Sequence, residues 1–329
     1  MQLIQYHFHR NLHFYSSLQG NNMTSFRNST KHQVLNALFA VPMIFSCAYA
    51  MADEAAAAPA AEAAPAVEAA AAAEAAPSEP TSPHSVTFNL GLYSEYMFRG
   101  VSLSDGPALQ GGIDYAHSSG FYAGTWWSNI DKEFTGHGDG FSGGNKLETD
   151  WYVGFAKTFE NGFGFNVMGN YYYYPDRENS FSAGDFGRKQ DTFEASIGLT
   201  YKWLTYTFFY IPTDYYGAAK DGTNDGTSDT DGATYNELKV NYTLPIADLN
   251  LLAKVGYQHT PNLTGSQGDL AIGLSRNFSI PSAGKPIEGF SAGAYYTDTF
   301  HVKNEGFYVT NDGRDTNQET LWFFVKRAW

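Results

Sequence analysis

From Ser85 onward the chain alternates. Val86, Phe88, Leu90 and Leu92 take turns with Thr87, Asn89, Gly91 and Tyr93, and the period continues through Tyr96 and Phe98, set against Glu95 and Arg99. A period of two puts one set of side chains on each face of a strand. Further on, Leu147, Trp151, Val153 and Phe155 alternate with Glu148, Asp150, Tyr152 and Gly154. Phe193, Ala195, Ile197 and Leu199 likewise alternate with Glu194, Ser196, Gly198 and Thr200. Segments of about ten residues with one apolar and one polar face are the pattern of barrel strands that cross a membrane. The pattern predicts twelve strands, over 86–101, 107–117, 121–131, 147–159, 163–174, 191–202, 204–212, 234–244, 249–260, 268–278, 289–302 and 319–329.

The connections support the same architecture. Short links at 118–120, 160–162, Trp203 and 245–248 alternate with longer polar ones at 132–146, 175–190, 213–233 and 303–318. Outer-membrane barrels have short periplasmic turns, long outer loops and an even strand count. The links 102–106 and 261–267 are short for outer loops, and 279–288 is long for a turn. Aromatics on both faces leave the register of 121–131 and 204–212 unfixed. The expected fold class is therefore all-β, a transmembrane antiparallel up-and-down β-barrel of about twelve strands. A soluble β-sandwich with an aromatic core is the alternative, and recurring outward Phe and Leu argue against it.

The first 84 residues do not alternate. Basic residues Arg27 and Lys31 precede an apolar run from Val34 to Phe45 that ends in Ala48-Tyr49-Ala50, the layout of a cleaved secretory signal. Cleavage is expected after Ala50 or Ala52, and Met23 competes with Met1 as the start. Cys47, the one cysteine, lies inside the signal; its approach, Ile44-Phe45-Ser46, is a poor lipidation site. An Ala/Pro/Glu tract follows, with six acids and no base, broken by Pro59, Pro65, Pro77 and Pro80; it reads as a disordered periplasmic tether. The expected division is 1–50 leader and signal, 51–84 linker, 85–329 barrel.

Composition narrows the function. The net charge of −14 argues against a nucleic-acid partner. Only 16% of residues are charged, yet the chain carries 23 Tyr, 25 Phe and 6 Trp, and the aromatics gather near segment ends (Trp126-Trp127, Tyr171–Tyr174, Tyr215-Tyr216) as interfacial girdles do.

The chain ends Leu321-Trp322-Phe323-Phe324-Val325-Lys326-Arg327-Ala328-Trp329. Leu321, Phe323, Val325 and Trp329 fit the alternating signal with a terminal aromatic that barrel-assembly machinery reads. Arg327 departs from it, and at the interface such a side chain snorkels to headgroups. The run Ser94-Glu95-Tyr96-Met97-Phe98-Arg99-Gly100-Val101-Ser102, with Pro107–Gly112, Asp114-Tyr115 and Gly120–Trp126, resembles the opening of the TorF family of porins. Glu148–Gly154, Tyr172–Pro175 and Asp214–Gly217 are further echoes. The resemblance runs from Val86 to the C-terminus and implies an outer-membrane barrel and a channel, without a substrate.

The candidate pore-lining residues are Glu95, Arg99, Asp114, Glu148, Asp150, Glu194, Glu237, Lys239 and Lys254, with Asp269, Lys202 and Lys326 also expected on the inner wall. Charges of both signs facing one lumen set up a transverse field and a constriction; equally, they form a salt-bridged filling. Arg99 is expected near the outer rim, where with Gly100 it either positions a loop or, the favoured reading, anchors the wall to Asp114. The expected function is passive diffusion of small solutes with a mild preference for cations or neutral molecules. The alternative is a non-conducting structural or adhesive barrel that binds a partner through its outer loops or tether. A wall of mixed, slightly acidic charge argues against an anionic oligosaccharide. Asp221–Gly226 lacks the full calcium-loop ligand set. His117 and Ser119 share a strand face but have no acid to orient them, so no enzyme, metal site or cofactor is expected. The expected surroundings are outer-membrane lipid, the assembly machinery and small solutes.

Overall fold

The computed structural model describes residues 82–131, 146–175, 190–216, 230–263, 265–303, 308–310 and 313–329. The expected signal, the tether up to residue 81 and the Asp221–Gly226 stretch lie outside the described residues.

Alternation becomes one closed sheet. Twelve antiparallel strands form the wall: β1 (His84–Tyr93), β4 (Ala108–His117), β5 (Phe121–Asn129), β6 (Leu147–Thr158), β7 (Phe163–Tyr173), β8 (Thr192–Tyr201), β9 (Leu204–Ile211), β10 (Ala233–Thr243), β11 (Leu249–His259), β12 (Gln267–Ile280), β13 (Ile287–Phe300) and β14 (Thr320–Ala328). Each pairs with its sequence neighbour, and β1 closes on β14 through Asn89↔Ala328 to Tyr93↔Phe324. Two short strands, β2 (Met97–Phe98) and β3 (Val101–Ser102), form a separate hairpin. A single closed sheet excludes the sandwich.

The two faces differ as the alternation demands. Leu92, Phe121, Trp151, Val153 and Leu321 are each about 60% exposed, and Val86, Val167, Ile197, Leu199 and Phe323 about half exposed. An outer surface this rich in Leu, Val, Ile and Phe is solvated by hydrocarbon rather than water. The inner face holds small or aromatic side chains that interlock. At Gly256 a Cβ would lie 2.0 Å from the Tyr235 Oη, so the phenol lies flat against the neighbouring backbone only because no side chain intervenes.

Both ends of the barrel sequence meet at the short-turn rim, where the backbones of Phe88 and Trp329 exchange two hydrogen bonds of 3.0 Å. The 279–288 turn is shorter than expected. β12 and β13 pair through a bulge between Phe278 and Ile280 to Ile280↔Ile287, leaving only 281–286 as connector. One strand differs sharply: β1 stops at Tyr93, and residues 94–101, expected to continue it, turn into the barrel. Lys202 also leaves the wall, since it occupies the β8–β9 turn with φ of 55° and is exposed.

If hydrocarbon solvates the outer face, Val153→Arg should destabilise the barrel by about 2–4 kcal/mol in phospholipid vesicles. Ser196→Thr, on the inner face, should be near neutral. Denaturant titration of the vesicle-folded protein reads both.

Candidate functional site

The interior is organised by the segment that leaves the wall. At the end of β1 the Ser94 amide donates to the Phe323 carbonyl, and the Phe323 amide donates to Ser94 Oγ, both at 2.8 Å. These bonds end the ladder, and the chain then folds back into the lumen as the β2–β3 hairpin. Arg99 and Gly100, its two turn residues, have φ of 47° and 81°, the left-handed pair that tight two-residue hairpins require. Gly100 is obligatory on a second ground: a Cβ there would lie 2.6 Å from Thr299 Cγ2 and 2.9 Å from Asp269 Cβ.

Apolar packing and hydrogen bonds hold the hairpin in place. Tyr96, Met97, Phe98, Val101 and Leu103 are all buried against wall aromatics that include Trp126, Tyr152 and Tyr172. The Asp131 amide donates to the Leu103 carbonyl (2.7 Å), the Ser102 amide to the Thr316 carbonyl (2.7 Å), and Gln267 Nε2 to the Arg99 carbonyl (3.1 Å). Arg314, from the last long connection, ties the base of the hairpin to the wall through Asp105 (3.3 Å) and Asp131 (2.7 Å).

Arg99 is the hairpin's charged tip. Its Nη2 lies 2.8 Å from Glu194 Oε2 on β8, and Nη1 donates to Gln258 Oε1 on β11 at 3.0 Å. Its guanidinium stacks over Tyr235 at 4.1 Å, Phe98 at 4.8 Å and Phe209 at 4.9 Å. Glu194 also accepts from Tyr172 Oη (3.1 Å), so each charge of this buried pair keeps several partners.

A second acidic group lies beside the hairpin. Glu148 accepts from the phenols of Tyr96 (2.9 Å) and Tyr174 (3.2 Å). Burial, and after it the charge of Glu148, holds both phenols well above their ordinary range, so each keeps its proton and stays a donor. Asp150, fully buried, accepts from Asn170 Nδ2 at 3.1 Å.

Toward the short-turn rim the lumen changes character. Glu237 lies 3.6 Å from Lys254 and 3.7 Å from Lys239, and Lys254 reaches Asp269 at 3.2 Å. Thr207, Glu237, Lys239, Asn241 and Lys326 face inward yet are only half-buried, so water enters this half. The barrel is thus a polar cup at the short-turn end, closed at the long-loop end by an aromatic plug.

Of the nine expected pore-lining residues, seven face the interior from the wall: Asp114, Glu148, Asp150, Glu194, Glu237, Lys239 and Lys254. Glu95 and Arg99 belong to the inward segment instead. Glu95 accepts from Ser102 Oγ and from the Gly106 amide (3.2 Å), closing the base of the hairpin. Arg99 does not anchor Asp114, which bonds to Tyr152 and Asn89. The period of two runs on through Ser94 in the residues, whereas the β-ladder stops there. Arg-Gly flanked by Phe98 and Val101 was the available hairpin signal. The Arg314 contacts carry no local signal, because they join residues far apart in sequence.

Leu321, Phe323, Val325 and Trp329 line the outer face of β14, each more than 40% exposed. Arg327 stacks on Phe290 (5.3 Å) and Trp329 (5.4 Å) and donates from Nε to the Glu288 carbonyl (3.2 Å). His117 Nδ1 and Ser119 Oγ lie 2.7 Å apart at an exposed turn.

A family model described as "Bacterial protein of unknown function (Gcw_chp)" matches residues 77–329. No curated protein matches the chain. Among solved structures, the chain is similar to a KdgM porin in complex with disordered oligogalacturonate (TM-score 0.41, 7% identity, 74% of this chain and 98% of that one). It is also similar to Acinetobacter baumannii OccAB3 (0.35, 9%, 77% and 66%) and Pseudomonas aeruginosa OprD (0.34, 11%, 74% and 64%).

Arg99→Ala should leave Glu194 buried without its partner and cost about 3–5 kcal/mol. Replacing both together, Arg99→Met with Glu194→Leu, should recover most of that loss, as read from equilibrium unfolding of the detergent-folded protein.

Proposed function

The chain belongs to the Gcw_chp family of bacterial proteins, and we propose that it is an outer-membrane, porin-like channel through which small solutes diffuse passively. The observation that carries this reading is the pairing of an apolar outer face with a polar, ionised inner one around a twelve-stranded lumen. A soluble protein has no use for the first, and a wall that only spans a membrane has no use for the second. The resemblance of the Ser94–Ser102 stretch to the TorF porins supports the same assignment. In this reading residues 1–50 direct export, 51–84 tether the barrel on the periplasmic side, and Leu321, Phe323, Val325 and Trp329 present the assembly signal.

The hairpin is the constriction. Solutes that enter the cup at the short-turn end meet Asp114, Glu237, Lys239 and Lys254 and then the aromatic plug. Glu148 and Asp150 beside the plug have no basic partner among the described residues, which favours cations and neutral solutes over anions. The mixed wall charge is a poor match to an anionic oligosaccharide.

One observation favours the second reading, a non-conducting barrel that works as a scaffold or adhesin: the plug residues Tyr96 and Met97 are 2% and 3% exposed, packed as tightly as a soluble core. Planar-bilayer recording separates the two. The channel reading expects discrete conductance steps, a reversal potential of cation-preferring sign in a salt gradient, and severalfold larger steps when 96–103 is replaced by a short Gly/Ser link. Silence from both wild type and the relinked variant would establish the scaffold instead.

A further inference from the structure

Asp150 and Asn170, neighbours on the inner face of β6 and β7, are one hydrogen short. Both side chains are fully buried, and Asn170 Nδ2 donates to Asp150 Oδ2 at 3.1 Å. The β6–β7 register, Asp150↔Tyr172 and Tyr152↔Asn170, sets the two groups diagonally side by side. Their remaining oxygens, Asp150 Oδ1 and Asn170 Oδ1, have no hydrogen-bond partner. An ionised carboxylate only accepts, so what the pair lacks is a donor. Buried acceptors left this way carry the cost of their desolvation.

The polar groups around the pair are engaged elsewhere. On the hairpin and β7, the phenols of Tyr96 (2.9 Å) and Tyr174 (3.2 Å) both donate to Glu148. Tyr172 donates to Glu194 on β8 at 3.1 Å, and Tyr152 on β6 donates to Asp114. On β5, Trp126 and Ser128 stand opposite Asp150 and Glu148, and neither ionises. The charged neighbours are Glu148 on β6, Glu194, which lies opposite Asn170 on β8, and Arg99 of the hairpin. Arg99 is held by Glu194 at 2.8 Å and Gln258 at 3.0 Å. Among the described residues no Lys, Arg or His pairs with Asp150.

We infer that Asp150 is a neutral carboxylic acid in the folded barrel, its Oδ1 proton donated to Asn170 Oδ1. Acid and carboxamide then meet through two parallel hydrogen bonds, N–H to one oxygen and O–H to the other, and a single proton satisfies both orphan atoms. A proton needs no cavity, which suits a fully buried spot. The donors explain why Asp150 rather than Glu148 carries it. Glu148 has one phenol for each oxygen, whereas Asp150 has one amide for two. The proton also removes a buried negative charge that Arg99, already matched by Glu194, does not offset. The ring fastens β6 to β7 beside the point where Tyr96 of the plug rests on Glu148, about 7 Å along the strand. A proton held by the folded state and released by the unfolded one stabilises at low pH, and that stability is lost as pH rises. The inference does not depend on conduction.

The test uses the refolded full-length barrel and two readouts. Infrared spectra at neutral pH, with isotope-labelled aspartate carboxyls, should show the carbonyl stretch of a protonated acid. That band should vanish in Asp150→Asn and survive Asp114→Asn. The second readout is equilibrium unfolding as a function of pH. Relative to Asp150→Asn, the unfolding constant of wild type should rise about tenfold per pH unit above about pH 4, the change for one proton held only by the folded state. Asp150→Asn should itself fold, since its carboxamide supplies an N–H to Asn170 Oδ1 without a proton. A wild-type spectrum with only carboxylate bands from aspartate overturns the inference and makes water the donor. So does a band that Asp150→Asn leaves unchanged, a pH dependence that this variant retains in full, or its failure to fold.

Discussion

Closure of the sheet is the constraint from which the rest follows. In hydrocarbon no water is available to satisfy a backbone N–H or C=O, so a strand edge cannot be left open. Pairing β1 with β14 removes the edge, but it also fixes the cylinder at twelve strands. Eight strands give an interior that wall side chains can fill, whereas twelve give one they cannot. Tyr93, Tyr295, Trp322 and Phe324 stack at 4.8–6.4 Å on the inner face of β1, β13 and β14, and still they occupy only one side. Whatever closes the remaining space has to come from a connection.

The first connection does so. Folding Tyr96–Leu103 inward places a peptide turn in the lumen, and its polar groups must then find partners. The Arg99 carbonyl takes Gln267, the Ser102 amide takes the Thr316 carbonyl, and the guanidinium takes Glu194 and Gln258. A buried arginine this well partnered specifies one seating of the hairpin, because any shift would strand its charge. The acidic wall is thus explained in part by the plug: Glu194 is the counter-charge of Arg99. Glu148 and Asp150 are not: their hydrogen bonds come from the neutral groups of Tyr96, Tyr174 and Asn170.

Much of this was legible in the residues. Alternation gave the wall strands, their inward and outward faces and the barrel, since a period of two is a local property that burial on one side enforces residue by residue. It also placed Asp114, Glu148, Asp150, Glu194, Glu237, Lys239 and Lys254 on the inner face. It failed at Ser94. Tyr96 and Phe98 keep the apolar period in the sequence, but there Met97 and Arg99 are buried along with them, inside the barrel. Nothing local distinguishes an aromatic that faces lipid from one that faces a lumen. The partners of Arg99 were illegible for a different reason: Glu194 and Gln258 lie 95 and 159 residues away, joined only by the curvature of the closed sheet.

The hairpin's place between β1 and β4 bears on how it can move. These two strands are adjacent in the wall, and their ladder runs unbroken from His84↔His117 to Tyr93↔Ala108 with no contribution from residues 94–107. Withdrawing the hairpin would therefore break the Arg99–Glu194 pair, the stacking on Tyr235 and the packing of Tyr96 and Phe98, while every wall pairing survived. The contacts that seat the plug and the ladder that closes the wall are thus two separate sets of interactions. A plug formed by a connection between distant strands would lack this independence, because its two ends would pull on different parts of the cylinder. The Ser94–Phe323 bonds at one end and the Leu103–Asp131 bond at the other mark the limits of the inward segment.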